Sequence, residues 1–256
     1  MNKDYIHVEG VELPSGSIYE GEALEGMYSI EITGKGKSHH KDGSEYEGQF
    51  RYGIPFGFGT YIFPDGDYHV GFFDDLPNGP GYLCLNSQKG MSLGHYKNGK
   101  LHGWAIGIKH GLFNCSFLQS GKVVKDYTSE FEWMKDFLEW TIFETYKGNM
   151  IQKSPDLGYI RYGAPNRTAQ KFGIRFRKLG VGFLFSTDGC MYVGQFYEYN
   201  NLNGWAIKCM PNGEYLGGLW KDNVLVKSES SFKEIKAAIS LEYSIAHIRN
   251  VIDSGC

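Results

Sequence analysis

A repeat of about 23 residues constrains the fold of this chain more than any other feature of its sequence. Triplets of Gly-x-aromatic or Gly-x-apolar share this spacing in two parts of the chain, beginning at Gly48, Gly71 and Gly94 and again at Gly194 and Gly217. The string Leu-His-Gly-Trp-Ala-Ile at 101–106 also recurs at 202–207 with one change. A fixed period of this length is typical of proteins built from one small repeated unit. We therefore expect the unit to decide the fold.

The unit with the clearest pattern begins at Tyr46 and is predicted to form one β-hairpin. Tyr46, Gly48 and Phe50 alternate, which places them on one face of a strand. We expect a turn at 53–56, a returning strand at 57–63 and a second turn at 64–67, where Pro, Asp and Gly cluster. A lone hairpin is at best marginally stable in water, so the units must stack and bury their aromatic rings against each other.

These residues resemble a known repeat. The run Tyr-Glu-Gly-Gln-Phe at 46–50, followed by Gly53, the Gly-x-Gly pair at 57–59 and Gly66, is similar to the MORN (membrane occupation and recognition nexus) repeat. The resemblance covers about half to two-thirds of the chain. It implies a mostly β fold, an elongated single-layer array of stacked antiparallel hairpins. It also implies a scaffolding role, contact with phospholipid and self-association.

Two segments lack the repeat: one divides the array and the other follows it. Glycine disappears between Ser129 and Glu144, where a Ser129-x-x-Glu132 capping box precedes an aromatic-rich run, and we predict an inserted helix there. Such a helix is either a plug or divider of the array or a partner-binding helix. The predicted organisation is a first array at 1–126, a helix at 127–147, a second array at 148–227 and a C-terminal helix at 228–256.

The C-terminal segment carries a second capping box, Ser231-x-x-Glu234. Apolar residues follow at spacings of three and four, namely Ala238, Leu241, Ile245, Ile248 and Ile252. An amphipathic helix of this kind needs a surface to cover its apolar stripe. One interpretation is a helix that caps the last hairpin, as repeat arrays require. The other is a dimerising helix, because the stripe spans about two heptads.

Composition narrows the class of protein. The chain has 41% hydrophobic residues and 35 glycines. Its formal charge of −3 and pI near 6.2 argue against a protein whose whole surface is built for nucleic acid, which would normally be basic. The five cysteines, Cys84, Cys115, Cys190, Cys209 and Cys256, include no CxxC pair, which favours reduced thiols. With no apolar run of membrane-spanning length, we expect a cytoplasmic protein, peripheral at most to a membrane or the cytoskeleton.

Charge is separated along the chain. Seven acidic residues and one lysine precede Lys35, whereas residues 157–187 contain six cations and no acid: Arg161, Arg167, Lys171, Arg175, Arg177 and Lys178. One hypothesis is that these cations converge on an anionic ligand or an anionic lipid surface, each contributing on the order of 1 kcal/mol. Alternatives are a solvated strand face or a surface that pairs with the acidic N-terminal segment. Neighbouring aromatic residues leave single-stranded nucleic acid as the weakest alternative.

The sequence holds no common catalytic signature. The G-x-S-x-G, H-E-x-x-H, Walker-type and CxxC patterns are absent, so we predict no metal, no cofactor and no enzymatic activity. An enzyme would have to use carboxylates of the unmatched region 124–170, such as Glu130, Glu132, Asp136 and Glu139. Acids on a helix surface are far more often solvated than catalytic.

The leading hypothesis is a scaffold that binds a protein partner through a groove of the repeat sheet. The residues predicted to line the groove are the repeat aromatics Tyr46, Phe50, Phe73, Tyr96, Tyr192 and Phe196. A peripheral membrane adaptor that uses the basic segment is the second hypothesis, and a homodimer formed through the C-terminal helix is compatible with both.

Overall fold

The structure is a computed structural model and describes residues 5–26, 29–86, 90–109, 112–131, 171–175, 181–186, 188–196 and 202–239. For residues 171–175, 181–184 and 195–196 it describes the backbone alone. The predicted inserted helix lies outside these ranges except for its start, and so does the C-terminal helix beyond residue 239.

The described chain is mostly β, with strands in two antiparallel sheets and two helices. The first sheet contains β1 Tyr5–Glu12, β2 Ile18–Glu25, β3 Ile30–Glu31, β4 Gly34–His39, β5 Glu45–Arg51, β6 Ile54–Ile62, β7 Tyr68–Asp74, β8 Leu76–Leu85, β9 Gly90–Lys97, β10 Lys100–Lys109, β11 Leu112–Gln119 and β12 Lys122–Asp126. The second contains β13 Lys171–Arg175, β14 Val181–Ser186, β15 Met191–Phe196, β16 Leu202–Cys209, β17 Tyr215–Lys221 and β18 Val224–Ser228. The helices are α1 Thr128–Phe131 and α2 at 232–239.

Strand order follows chain order in both sheets. The first runs β1-β2-β4-β5-β6-β7-β8-β9-β10-β11-β12, with β3 paired to β2 beside this path, and the second runs from β13 to β18. The predicted array of antiparallel hairpins is therefore confirmed. The chain also divides into two compact units, one of residues 1–102 with 107–112 and one of residues 103–106 with 113–256.

A row of glycines crosses the first unit at right angles to its strands. Each glycine lies directly opposite the next on the neighbouring strand, in the order Gly21, Gly36, Gly48, Gly59, Gly71, Gly81 and Gly94. Side chains on this face of the sheet are missing along the whole row. The row is therefore a shallow channel of bare backbone, open to a flat ring from the same face.

Rings from every second strand along this order, beginning with Tyr19 of β2 and Tyr46 of β5, lie in this channel. The Tyr46 ring lies over Gly48 and Gly59, and a Cβ added at Gly59 would stand 2.5 Å from Tyr46 Cζ, far inside van der Waals contact. Tyr19 covers Gly36 in the same way. Both tyrosines are fully buried, and their hydroxyls donate to main-chain carbonyls, Tyr46 Oη to Gln49 O at 3.0 Å and Tyr19 Oη to Glu22 O at 2.7 Å. Only glycine leaves space for these rings.

The first glycine of each Gly-x-Gly pair has a different task. Gly57 has φ +68 and sits in a bulge, where the β5–β6 register shifts between Gly48 and Phe50. The Gln49 side chain stands over Gly57 and accepts a hydrogen bond from Phe58 N at 3.2 Å. The β7–β8 hairpin has the same shift, with Gly79 at φ +119. Left-handed backbone at a bulge favours glycine, which explains this position of the motif.

One of the two predicted turns of the unit is confirmed and the other is wrong. At 63–67 the Phe63 and Gly66 amides close the expected turn, and Asp65 Oδ1 accepts from Asp67 N at 3.0 Å. The turn expected at 53–56 lies instead at Tyr52 and Gly53, and β6 starts already at Ile54. Both turn residues have positive φ, as a two-residue hairpin turn of the primed type requires.

Aromatic packing at the start of the predicted inserted helix holds the second unit together. Trp104 is fully buried, donates from Nε1 to Met210 O at 2.8 Å and packs 4.6 Å from the Tyr127 ring. Tyr127 Oη in turn donates to Gly213 O at 2.8 Å. Phe131 of α1 makes an edge contact with Phe232 of α2, 5.1 Å between centroids. These contacts join β10, the β16–β17 turn and both helices.

Helix α2 covers β17 as a cap. Ile235 is fully buried against Gly217, and Phe232 packs 4.5 Å from Tyr215. The Ser231 hydroxyl accepts from Glu234 N at 3.3 Å, as the capping box predicts. The Ser231 amide, however, donates to Glu229 Oε1 at 2.8 Å rather than to Glu234. The predicted Ser129 cap is wrong, since that residue lies within α1. Dimerisation through the C-terminal helix stays a prediction.

Replacement of Gly59 by alanine should disrupt the ring-on-glycine contact. Because the new Cβ overlaps the buried Tyr46 ring, we expect a loss of about 1–3 kcal/mol in the free energy of unfolding, measured by urea denaturation. Gly90→Ala is the matched control, since a Cβ at this strand glycine meets its neighbours only at ordinary distances of 3.5 Å and more. Equal effects of the two substitutions would contradict the proposed role of the row.

Candidate binding surface

Five of the six aromatic residues predicted to line a groove are buried. These five, Tyr46, Phe50, Phe73, Tyr96 and Tyr192, are at most 7% exposed, and the sixth, Phe196, ends β15. The first three stack edge to face, with centroids 5.1 Å apart between Tyr46 and Phe50 and 5.0 Å apart between Tyr46 and Phe73. Their role towards a partner stays a prediction. A surface that a partner can reach must therefore be sought among exposed side chains.

His69 stands among these rings at the position where the earlier hairpins carry tyrosine. It lies over Gly71 and Gly81, and its ring is 4.5 Å from Tyr96. Its Nε2 has no hydrogen-bond partner within the described part of the chain, whereas the equivalent tyrosines reach main-chain carbonyls. Burial lowers the pKa of His69 to about 4, because a charged imidazole would lose its hydration there.

The predicted basic patch is only partly described. Arg161, Arg167, Arg177 and Lys178 lie outside the described residues. Lys171 and Arg175 are the first and last residues of β13. Convergence of these six cations on one surface stays a prediction.

Large exposed apolar side chains lie at two consecutive hairpin turns of the first unit. Tyr52 is 68% exposed, Ile54 47% and Leu76 52%. Ile54 and Leu76 hold the same place in their hairpins, as the first residue of the returning strand. We call this surface the tip strip and define it by Arg51, Tyr52, Ile54, Phe56, Asp74 and Leu76.

Main-chain hydrogen bonds fix the tips relative to each other. Gly53 N donates to Ile32 O at 2.8 Å, Asp75 N to Pro55 O at 2.8 Å and Gly99 N to Pro77 O at 2.9 Å. Each turn is thus bonded to the hairpin before it. Because these bonds do not involve the tip side chains, the strip is presented on a backbone that is already ordered, which reduces the entropy lost on binding.

A charged pair lies in the middle of the strip. The Arg51 guanidinium sits 3.6 Å from the centroid of the Phe56 ring, and its Nη2 lies 3.4 Å from Asp74 Oδ1. Both charged side chains are about half exposed, so their mutual attraction adds little stability. Stacking on Phe56 instead holds the guanidinium in place, which leaves its remaining donors directed to solvent.

Sequence reasoning missed the tip strip. Its signal is the presence of large apolar residues at turn positions, where polar residues are the rule. The later hairpins of the same sheet carry Lys100 and Lys122 at the place of Ile54 and Leu76. This difference between apolar and lysine residues can be recognised in the sequence only when the turn is placed at 52–53 rather than at 53–56.

Metal sites, cysteines and membrane-spanning helices are further features to consider among the described residues. Among these residues, no group of three or more His, Cys, Asp or Glu side chains is arranged to hold a metal ion. The described cysteines Cys84, Cys115, Cys190 and Cys209 are free thiols. None of the helices in the described ranges is long and apolar enough to cross a membrane.

Comparison with known proteins finds a match to one family model in two stretches of the chain. A family model described as the MORN repeat matches residues 46–68 and 93–103. The first match begins at the ring residue Tyr46 and ends in β7, and so spans one whole hairpin and its closing turn. A search of curated proteins finds no match to this chain.

Protonation of His69 should destabilise the fold at low pH. The unfolded imidazole, with a pKa near 6.5, binds a proton more readily than the folded one at about 4. Stability is therefore complete above about pH 6.5 and falls as the pH drops towards 4, by up to about 3 kcal/mol. His69→Tyr should flatten this pH dependence in urea titrations between pH 4 and 7. His7→Tyr is the control, since the His7 side chain is 65% exposed, and it should leave the pH dependence unchanged. An unchanged slope in His69→Tyr would refute the assignment of the pH dependence to His69.

Proposed function

Because the chain is a MORN repeat protein, we propose that it is a non-enzymatic scaffold that binds a protein partner along the tip strip of its first unit. The family is generally non-enzymatic, and its repeats are typical of binding proteins. The observation that carries the proposal is the exposure of Tyr52, Ile54 and Leu76 on two adjacent, hydrogen-bonded hairpin turns.

The composition of the strip supports a protein as the partner. Tyrosine and arginine are the residues most enriched at the energetic centres of protein interfaces, and the strip has one of each, Tyr52 and Arg51. Burial of what remains exposed of the three apolar side chains would favour association by roughly 1 kcal/mol each before the costs of binding. Arg51 and Asp74 then set the register, because a partner must offer an acceptor to the first and a donor to the second.

The buried rings support this function indirectly. The Tyr46, Phe50 and Phe73 stack belongs to a core cluster that also contains Leu13 and Ile32. A Cβ added at Gly53 of the turn would stand 3.5 Å from Leu13 Cδ2, so the turn rests against this cluster, which limits its movement. The predicted groove aromatics thus hold the surface in place, while the exposed tip residues make the contacts.

Site-specific crosslinking in the native host tests this proposal. A benzoylphenylalanine introduced at Tyr52 or at Leu76 should crosslink to one protein of discrete mass. The control position is Leu112, which is 73% exposed but lies outside the strip. We expect no such product from position 112. Equal crosslinking from all three positions, or none from the strip while the protein is folded, would contradict the proposal.

A second candidate function is a peripheral membrane adaptor located in the cytoplasm. The observation that favours it is the run of six cations without an acid between residues 157 and 187. A cluster of this kind attracts anionic headgroups through salt-screened electrostatics.

Vesicle co-sedimentation tests the adaptor function. We expect binding to anionic but not neutral vesicles, weaker at near-physiological than at low salt, because screening shortens the range of the attraction. The variant Arg175→Glu, Arg177→Glu, Lys178→Glu should lose this binding. If anionic vesicles fail to sediment the wild-type protein at low salt, the adaptor function is refuted and the scaffold is unaffected.

A further inference from the structure

Among the strands that the structure describes, the two outermost ones of the first sheet each have one edge without a neighbour. In the strand order of the described residues, β1 pairs only with β2 and β12 only with β11. Their outward amide and carbonyl groups are therefore available to a further strand. Proteins usually protect such edges with charges, bulges or short strands. Both edges here carry charges and a bulge, and the two sets match each other.

Strand β12 presents a basic edge. All five of its residues are exposed, including Val123 at 59% and Val124 at 60%. Lys122 and Lys125 lie three residues apart, and the Lys125 ammonium is 4.5 Å from the centroid of the Tyr127 ring. Asp126, the only acid of the strand, is already bonded to the amide and hydroxyl of Thr128. The register shift against β11 makes Val124 an extra residue.

Strand β1 presents an acidic edge of the same spacing. Glu9 and Glu12 are exposed and also lie three residues apart, and Glu9 is 3.5 Å from His7. The register against β2 shifts between Val8 and Val11, so that β1 too has one extra residue, next to Gly10 at φ +67. Its apolar residues Val8 and Val11 face the core.

The two edges are complementary in an antiparallel register. If Glu12 of β1 lies opposite Lys122 of β12, Val11 falls opposite Val123 and Glu9 opposite Lys125. Val124, the extra residue of β12, then falls opposite Gly10 in the bulge of β1. Opposite charges directly across a strand pair are stabilising and like charges are destabilising. A β1–β1 or β12–β12 pair would bring like charges together.

We infer that β12 of one molecule pairs with β1 of a second copy, so that the first sheet continues from molecule to molecule. The contact joins two different surfaces of the same chain, and such head-to-tail contacts build open chains or rings. The lysines of β12 disfavour a basic strand and the glutamates of β1 disfavour an acidic one, so the charges favour the β12–β1 pair. The equivalent edge strand β18 has Val224 in the place of Lys122 and offers one lysine, Lys227. This inference does not rest on the tip strip.

Charge exchange between the two edges provides the test. Variant A carries Lys122→Glu and Lys125→Glu, and variant B carries Glu9→Lys and Glu12→Lys. Either variant alone places like charges across the contact. Its association constant, measured by sedimentation velocity over a range of concentrations, should be at least roughly tenfold lower than that of the wild type. An equimolar mixture of A and B restores opposite charges at every contact and should assemble again.

Two controls separate this contact from others. Val224→Glu with Lys227→Glu changes the equivalent edge strand β18 of the second sheet and should leave association unchanged. Far-UV circular dichroism and thermal denaturation check that the exposed substitutions leave the fold intact. A wild-type protein that stays monomeric up to its solubility limit would overturn the inference. So would a mixture of A and B that fails to assemble while the wild type does.

Discussion

The packing of an aromatic ring on bare backbone is the interaction on which the rest of the structure depends. A tyrosine from one strand lies over two glycines that face each other on adjacent strands, and this contact recurs from Tyr19 to Tyr46. The geometry accounts for the sequence period, because each hairpin must supply one ring and two glycines in the same register. The second glycine of each Gly-x-Gly pair belongs to the row, and the first belongs to the bulge that bends the strand. The rings therefore act together with the strand pairing between successive hairpins to hold the sheet together.

This use of the rings also decides where binding can take place. Since the repeat aromatics are buried, the face they occupy offers few side chains to a partner. The exposed positions are the hairpin turns and the outer strands. At the turns of the first unit they include large apolar residues such as Tyr52 and Leu76, and at the sheet edges charged residues lie beside exposed apolar ones such as Val123. The same array thus offers an apolar surface at its turns, suited to another protein, and charge-bearing edges suited to selective strand pairing.

Much of the fold could be predicted from the sequence, because its signals are local. The alternation of Tyr46, Gly48 and Phe50 and the Pro-Asp-Gly turn at 64–66 each depend on a few neighbouring residues. The turn at Tyr52 and Gly53 was placed too late, since a proline at position 55 is usually a turn signal and here lies in a strand beside a bulge. The candidate site was harder. Whether a repeat aromatic lines a groove or fills a core depends on the face that the next hairpin covers, and the match between β1 and β12 depends on strand order over more than a hundred residues.

A double-mutant cycle between Tyr46→Leu and Gly59→Ala tests the central claim most directly. Leucine lacks the Cε2, Cζ and Oη atoms that stand over Gly59, so the alanine methyl group should be tolerated better once the ring is gone. We expect the two losses in unfolding free energy to be non-additive, with a coupling of at least about 1 kcal/mol. If they add to within about 0.5 kcal/mol, the ring and the glycine are independent, and the account of the repeat is wrong.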